Sequence, residues 1–227
     1  MRARCAGLVA GLLAPWAAMA GIVPLTQDRF VTIFAQADAP GVPGIAESLD
    51  WGQSQQAGGW SFHNQVVAEQ PPAVAITRVE HSSIVEPAYV GGRSSIELFA
   101  GPSMQGGKTV SLARSVFEAA FRVIEPMEVV FAGQVTWGGR SRVTLDGAWG
   151  TIVRIDGMNA EVGWRGVLAP GMYRASAGFD SLVESLGGEP EQILIDSWSF
   201  SMQPVPGVGA TAVMGWIGAV GLTRRRR

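Results

Sequence analysis

Cysteine is nearly absent from this chain: Cys5 stands alone among 227 residues. It falls in an apolar N-terminal stretch, so the body beyond it has no thiol, which excludes disulfides, thiolate catalysis, zinc-finger spacing and iron–sulfur ligation there. Histidine is almost as scarce. His63 and His81 stand far apart without ligand-like spacing, which predicts satisfied strand or surface residues rather than a metal pair. No G-x-S-x-G elbow, P-loop or G-x-G-x-x-G occurs, so acyl transfer on a hydrolase fold and nucleotide binding lack support. A D-x-D-x-D-G loop is also missing. Asp38, Asp50, Asp146 and Asp156 lie in or near turns, so no cofactor is expected beyond a structural calcium ion held there.

Charge is sparse at 16%, and acidic residues are missing from both ends of the chain. Setting aside Arg2, Arg4 and Arg224 to Arg227 leaves 11 basic residues against 19 acidic ones, a net of −8 for the body. A phosphate binder needs a basic face, so nucleic acid is not an expected partner.

What the chain does have is apolar surface and turns. With 47% hydrophobic residues, eight Trp, 30 Gly and 13 Pro, the composition predicts one ordered domain of short elements. The opening "MRARCAGLVAGLLAPWAAMAG" has Arg2 and Arg4, an apolar run from Cys5 to Ala17, then the small-x-small Ala18-Met19-Ala20. That is the pattern of a signal peptide, with cleavage expected after Ala20, leaving residues 21–203 as the domain.

Alternation of period two dominates the body. Phe117, Ala119, Phe121 and Val123 form one apolar face; Met127, Val129, Phe131, Val135 and Trp137 form a second. Val143, Leu145 and Trp149 form a third, and Leu194, Trp198, Phe200 and Met202 a fourth, opposite Ser197, Ser199 and Ser201. Further strands are predicted over 28–37, 60–68, 73–80, 94–99, 152–155, 164–168 and 172–179. Turn signals separate them, among them Pro71-Pro72, Gly91-Gly92, Asp156-Gly157 and Pro170-Gly171. About ten strands at this spacing predict an all-β, antiparallel sandwich, jelly-roll-like in class. "DSLVESLGG" reads as a short helix, and residues 39–60 as a long functional or mobile loop.

Two groups of tryptophans emerge. Trp137, Trp149 and Trp198 fit the apolar phase of their strands and are expected in the core. Trp51, Trp60 and Trp164 lie in or beside loops, where they either cap the sandwich or stack on sugar rings. Glu97, Glu118 and Glu128 lie opposite apolar positions, which places them on solvated faces.

The C-terminus is "VPGVGATAVMGWIGAVGLTRRRR". Residues 208–222 carry no charge, and as a helix at ~1.5 Å per residue they extend ~22 Å, a marginal membrane span. The arginines that follow would stay on the cytoplasmic side. A proline-containing turn (Pro204, Pro206, Gly207), an apolar segment and a basic run (Arg224, Arg225, Arg226, Arg227) resemble the C-terminal sorting tail of the PEP-CTERM family of exported bacterial proteins. Here the family's Pro-Glu-Pro lacks its Glu. The resemblance implies three parts: a signal peptide over 1–20, a β-sandwich over 21–203, and a sorting segment over 204–227 with a hydrophobic helix. It further implies signal peptidase and an exosortase-like enzyme as partners, transient or permanent inner-membrane insertion through 208–222, and passage to the cell surface or extracellular matrix; with no catalytic motif in the body, no enzymatic activity is expected. The alternative is a carbohydrate-binding module on the same fold, with an extracellular polysaccharide as partner; a polysaccharide-acting hydrolase comes last.

Overall fold

The computed structural model describes residues 21–101, 106–136 and 141–205. These form an all-β protein of twelve strands: β1 (Ile22–Asp38), β2 (Ala46–Ser54), β3 (Gly58–Gln70), β4 (Ala73–Glu86), β5 (Tyr89–Ala100), β6 (Lys108–Val123), β7 (Met127–Thr136), β8 (Arg142–Gly147), β9 (Gly150–Asp156), β10 (Ala160–Leu168), β11 (Gly171–Leu186) and β12 (Gln192–Pro204). They make two six-stranded antiparallel sheets. Sheet A has the order β2-β1-β6-β11-β8-β9 and sheet B the order β10-β7-β12-β5-β4-β3.

Burial follows the alternation read from the sequence. Phe117, Phe121, Val129, Phe131, Val135, Val143, Leu145, Trp198, Phe200 and Met202 all lie in the core, while Arg122 and Gln134 point outward. The core is tapered. Ala35, Ala37, Ala73, Ala75 and Ala113 line one end, and Phe117, Phe131, Trp198 and Phe200 fill the other. At the alanine end the sheets come close enough for hydroxyls to bridge them: Thr77 donates to the Phe34 carbonyl (2.6 Å) and Ser111 to the Phe99 carbonyl (2.6 Å). At the other end the rings pack edge-to-face and stacked, as in Phe117 edge-on to Phe200 at 5.1 Å between centroids and Phe131 stacked on Phe200 at 5.7 Å.

Several expectations need correction. Residues 46–54 are not loop but the edge strand β2, paired with β1 in continuous register from Ala46 to Ser54. The inward positions of β2 are Ala46, Ser48, Asp50, Gly52 and Ser54, of which only Ala46 packs on the core as an apolar side chain, so no apolar alternation marks the strand. "DSLVESLGG" is not helical either. It continues β11, with Ser181 and Ser185 buried and Asp180 and Leu182 outside; small polar residues on the inner phase hid the period of two. Gly187 and Gly188, both at positive φ, then turn the chain.

Gly91-Gly92 is not a turn but lies within β5, near its start. A Cβ at Gly91 would come 2.6 Å from the Phe200 carbonyl oxygen, and one at Gly92 2.9 Å from that of Ser82. Trp149 is not in the core. Its strand ends at Gly147, the β8–β9 hairpin reverses at Ala148 and Trp149, and the indole is fully exposed. Trp137 and the expected C-terminal helix lie outside the described residues, as do Ala18, Ala20, Pro206, Gly207 and the terminal arginines. Pro204 is the last residue of β12, opposite Val129.

Candidate functional site

The outer face of sheet B carries an open trough of about 710 Å³. The strand register sets its floor. Glu161 on β10 is paired with Gln134 on β7, Gln134 with Ser199 on β12, Ser199 with Arg93 on β5, Arg93 with Ser82 on β4, and Ser82 with Ser61 on β3. One polar row therefore crosses all six strands. With strands ~4.8 Å apart, it is ~24 Å long.

A second row explains the depression. Ala132, Ser201, Gly91, Ile84 and Gly59 are consecutive cross-strand partners, and four of the five are small. Close packing keeps Gly91 bare: any larger residue would strike the Phe200 backbone and the Tyr89 hydroxyl, 2.8 Å from the Cβ position. Tyr89 thus stands at the side of the trough as its aromatic wall.

Electrostatically the floor is close to balanced. Arg93 is exposed, its Nε donates to Ser82 Oγ (3.3 Å), and no carboxylate lies within ion-pair range among the described residues. Glu161 lies at the β10 edge, three strands away. Elsewhere on this outer face charges are paired, as in Arg78 with Glu97 (3.1 Å) and Arg165 with Glu128 (2.6 Å).

Beneath the trough runs a buried polar chain. His81 on β4 has Nδ1 3.1 Å from Ser115 Oγ on β6 and Nε2 3.1 Å from Ser83 Oγ. Its ring packs against Trp60 (4.8 Å) and Trp198 (5.5 Å). Burial, together with the charge of Arg29, pushes the His81 pKa down to about 4. Arg29 is fully buried. Its Nη2 lies 2.7 Å from Gln27 Oε1 and 2.7 Å from the Gln56 carbonyl, whereas Nε and Nη1 have no partner among the described residues. Desolvation lowers its pKa. Asp196 is a second buried charge, with Ser141 Oγ at 2.5 Å and Ser181 Oγ at 3.1 Å. Burial raises its pKa, and the donated hydrogen bonds partly offset this.

The three candidate tryptophans do not converge. Trp60 (β3) and Trp164 (β10) stand on opposite edges of sheet B, half-buried and packed against the core. Trp60 also stacks on Phe62 and borders the trough at its β3 end. Trp51 lies on the outer face of sheet A, 60% exposed, in a row with Thr32, Arg114 and Asp180. His63 is exposed, with Nδ1 3.4 Å from Glu80. Asp38 and Asp50 sit at the β1–β2 side of sheet A, and Asp146 and Asp156 at its β8–β9 side. No group of three or more His, Cys, Asp or Glu side chains suited to a metal occurs among the described residues. Glu97, Glu118 and Glu128 lie on outer faces, paired with Arg78, Arg174 and Arg165.

Sequence reasoning did not find the trough. Ser199 and Ser201 were legible as outward residues, but Arg93 and Gln134 join them only through strand register, and Gly91 looked like a turn.

No protein-family model matches the chain, and neither does any curated protein. Among solved structures, it is similar to a GH31 alpha-xylosidase from Xanthomonas citri, with 8% identity and a TM-score of 0.23, over 75% of this chain and 38% of that one. It is also similar to infectious bursal disease virus Gx strain, with 13% identity and a TM-score of 0.22, over 83% of this chain and 58% of that one. The chain spans less than two thirds of either. At such TM-scores neither likeness bears on function.

Proposed function

We propose that this is an exported, non-catalytic protein of the bacterial cell surface or extracellular matrix, whose work is binding at the outer face of sheet B. The observation that carries the reading is the trough itself: a row of polar side chains six strands wide, flanked by Trp60, Ile84, Tyr89 and Phe200, on a sandwich that is acidic overall. A floor of serine hydroxyls with the Gln134 amide offers both donors and acceptors to an extended ligand.

Strand order supports a jelly-roll class for the body. Numbering β5 to β12 as one to eight, sheet B contains the order 1-8-3-6 and sheet A the order 2-7-4-5, the arrangement of two interlocked Greek keys. Two hairpin-linked pairs, β1–β2 and β3–β4, widen each sheet at the same side. Jelly rolls recur in capsid and lectin domains, an analogy of architecture alone.

Export rests on the two ends of the sequence. Residues 1–20 act as a signal peptide cut after Ala20. Residues 204–227 act as a sorting segment: Pro204, Pro206 and Gly207, then insertion of 208–222 in the inner membrane, held by Arg224 to Arg227. An exosortase-like enzyme then removes the tail.

Cell fractionation with intact-mass measurement tests this. The expected species, at the surface or in the medium, lacks about twenty residues at each end, and it does not shorten the polysaccharides it binds. A full-length species confined to the cytoplasm, or release of reducing ends abolished by removing a carboxylate pair, would overturn the reading.

A further inference from the structure

We propose that the sheet B trough binds an extended, uncharged polysaccharide laid across the strands, an inference that rests on the binding role proposed above and names its ligand class. Three observations carry it.

The first is hydrogen-bonding capacity. Ser61, Ser82, Ser199 and Ser201 each offer a donor and acceptors, Gln134 offers both from one planar group, Arg93 donates and Glu161 accepts. A chain of sugar hydroxyls, each both donor and acceptor, is the complement of such a floor. Trp60, Ile84, Tyr89 and Phe200 add apolar lining against which the faces of sugar rings can pack.

The second is charge. Arg93 and Glu161 balance each other along the row, while the body carries a net charge of −8. A polyanion would meet one exposed guanidinium and long-range repulsion, so the polymer held here is neutral.

The third is shape. The row is ~24 Å long and runs from one edge strand of sheet B to the other, a span for several monomers of a chain rather than for one small molecule. Tyr89, fixed beside Gly91, supplies a ring face at the trough's edge. Of the three candidate tryptophans only Trp60 borders the trough, at its β3 end; Trp164 is packed against the core at the far edge of the sheet, and Trp51 stands on the other sheet.

Affinity gel electrophoresis tests the proposal, using full-length protein in gels containing hydroxyethyl cellulose, barley β-glucan, dextran, galactomannan or alginate. Retardation is expected in at least one neutral gel and not in alginate. Arg93→Ala combined with Gln134→Ala should weaken it about tenfold or more, and Ser201→Trp, which fills the trough from its solvent side, should abolish it. Trp51→Ala should leave it unchanged. Circular dichroism and thermal melts confirm that each variant is folded; where Ser201→Trp is not, the Arg93/Gln134 pair decides. Retardation that persists in the folded trough variants, is lost in Trp51→Ala, occurs in alginate alone, or is seen in none of the gels would overturn the inference. A protein exported and trimmed but not retarded refutes the ligand and leaves the export reading intact; retardation of a protein that stays full-length in the cytoplasm does the reverse.

Discussion

His81 and Ser115 join the two sheets through a buried hydrogen bond, with Nδ1 on β4 3.1 Å from Oγ on β6. Burial among Trp60 and Trp198, together with the Arg29 charge, keeps this imidazole neutral. The depressed pKa then sets a stability profile. Unfolded, the ring takes up a proton near pH 6.5; folded, it does so only near 4. Stability should therefore fall as pH drops through that window, by roughly 3 kcal/mol in all, and level off below it. Asp196 acts in the opposite direction: its raised pKa means that acid relieves the cost of burying its charge. The difference between the wild-type and His81→Gln denaturation curves, measured from pH 7.5 to 4, isolates the histidine; an equal slope in both would refute its role.

Arg29 gives a coupled prediction. A buried guanidinium without a carboxylate partner is replaceable by an apolar side chain of similar volume at little cost. Arg29→Met should leave the melting temperature unchanged or raised, and should move the His81 pKa upward in an NMR titration. A large loss of stability would show that its bonds to Gln56 and Gly58 hold the β2–β3 turn.

Two tryptophans of equal size should respond very differently. Trp198→Ala opens a cavity between β12, His81 and Phe117 and should cost ~3–5 kcal/mol in chemical denaturation. Trp149→Ala, at an exposed hairpin tip, should stay within ~0.5 kcal/mol of wild type.

Glycines of β5 and β10 separate in the same way. Gly91→Ala collides with fixed backbone and should cost at least ~1–3 kcal/mol, comparable to overpacking a core. Gly163→Ala meets nothing within 4 Å and should be neutral, or stabilising by ~0.4–1 kcal/mol through the unfolded chain.

These contrasts trace how far the sequence could be read. Strands with an apolar inner phase, such as β6, β7 and β12, were legible because alternation is a direct record of which face is buried. β2 and the second half of β11 were not: Ser48, Asp50, Ser181 and Ser185 face inward, and inward serines look like loop. Trp149 misled because alternation says nothing of where a hairpin reverses. Arg29, His81 and Asp196 sit in the core as charged or titratable groups that composition would place outside. The trough was illegible for a different reason: Glu161, Gln134, Ser199, Arg93, Ser82 and Ser61 are scattered over a hundred residues, and only the pairing of six strands sets them in one line.

The most direct test of sheet B as the working face is hydrogen–deuterium exchange of the full chain, with and without the neutral polysaccharide that retards it. Protection should appear in peptides covering Gly59 to Ser61, Ser82 to Arg93, Ala132 to Gln134 and Ser199 to Ser201, with sheet A unchanged. Protection confined to β2 around Trp51, or to the β8–β9 hairpin, would contradict the account.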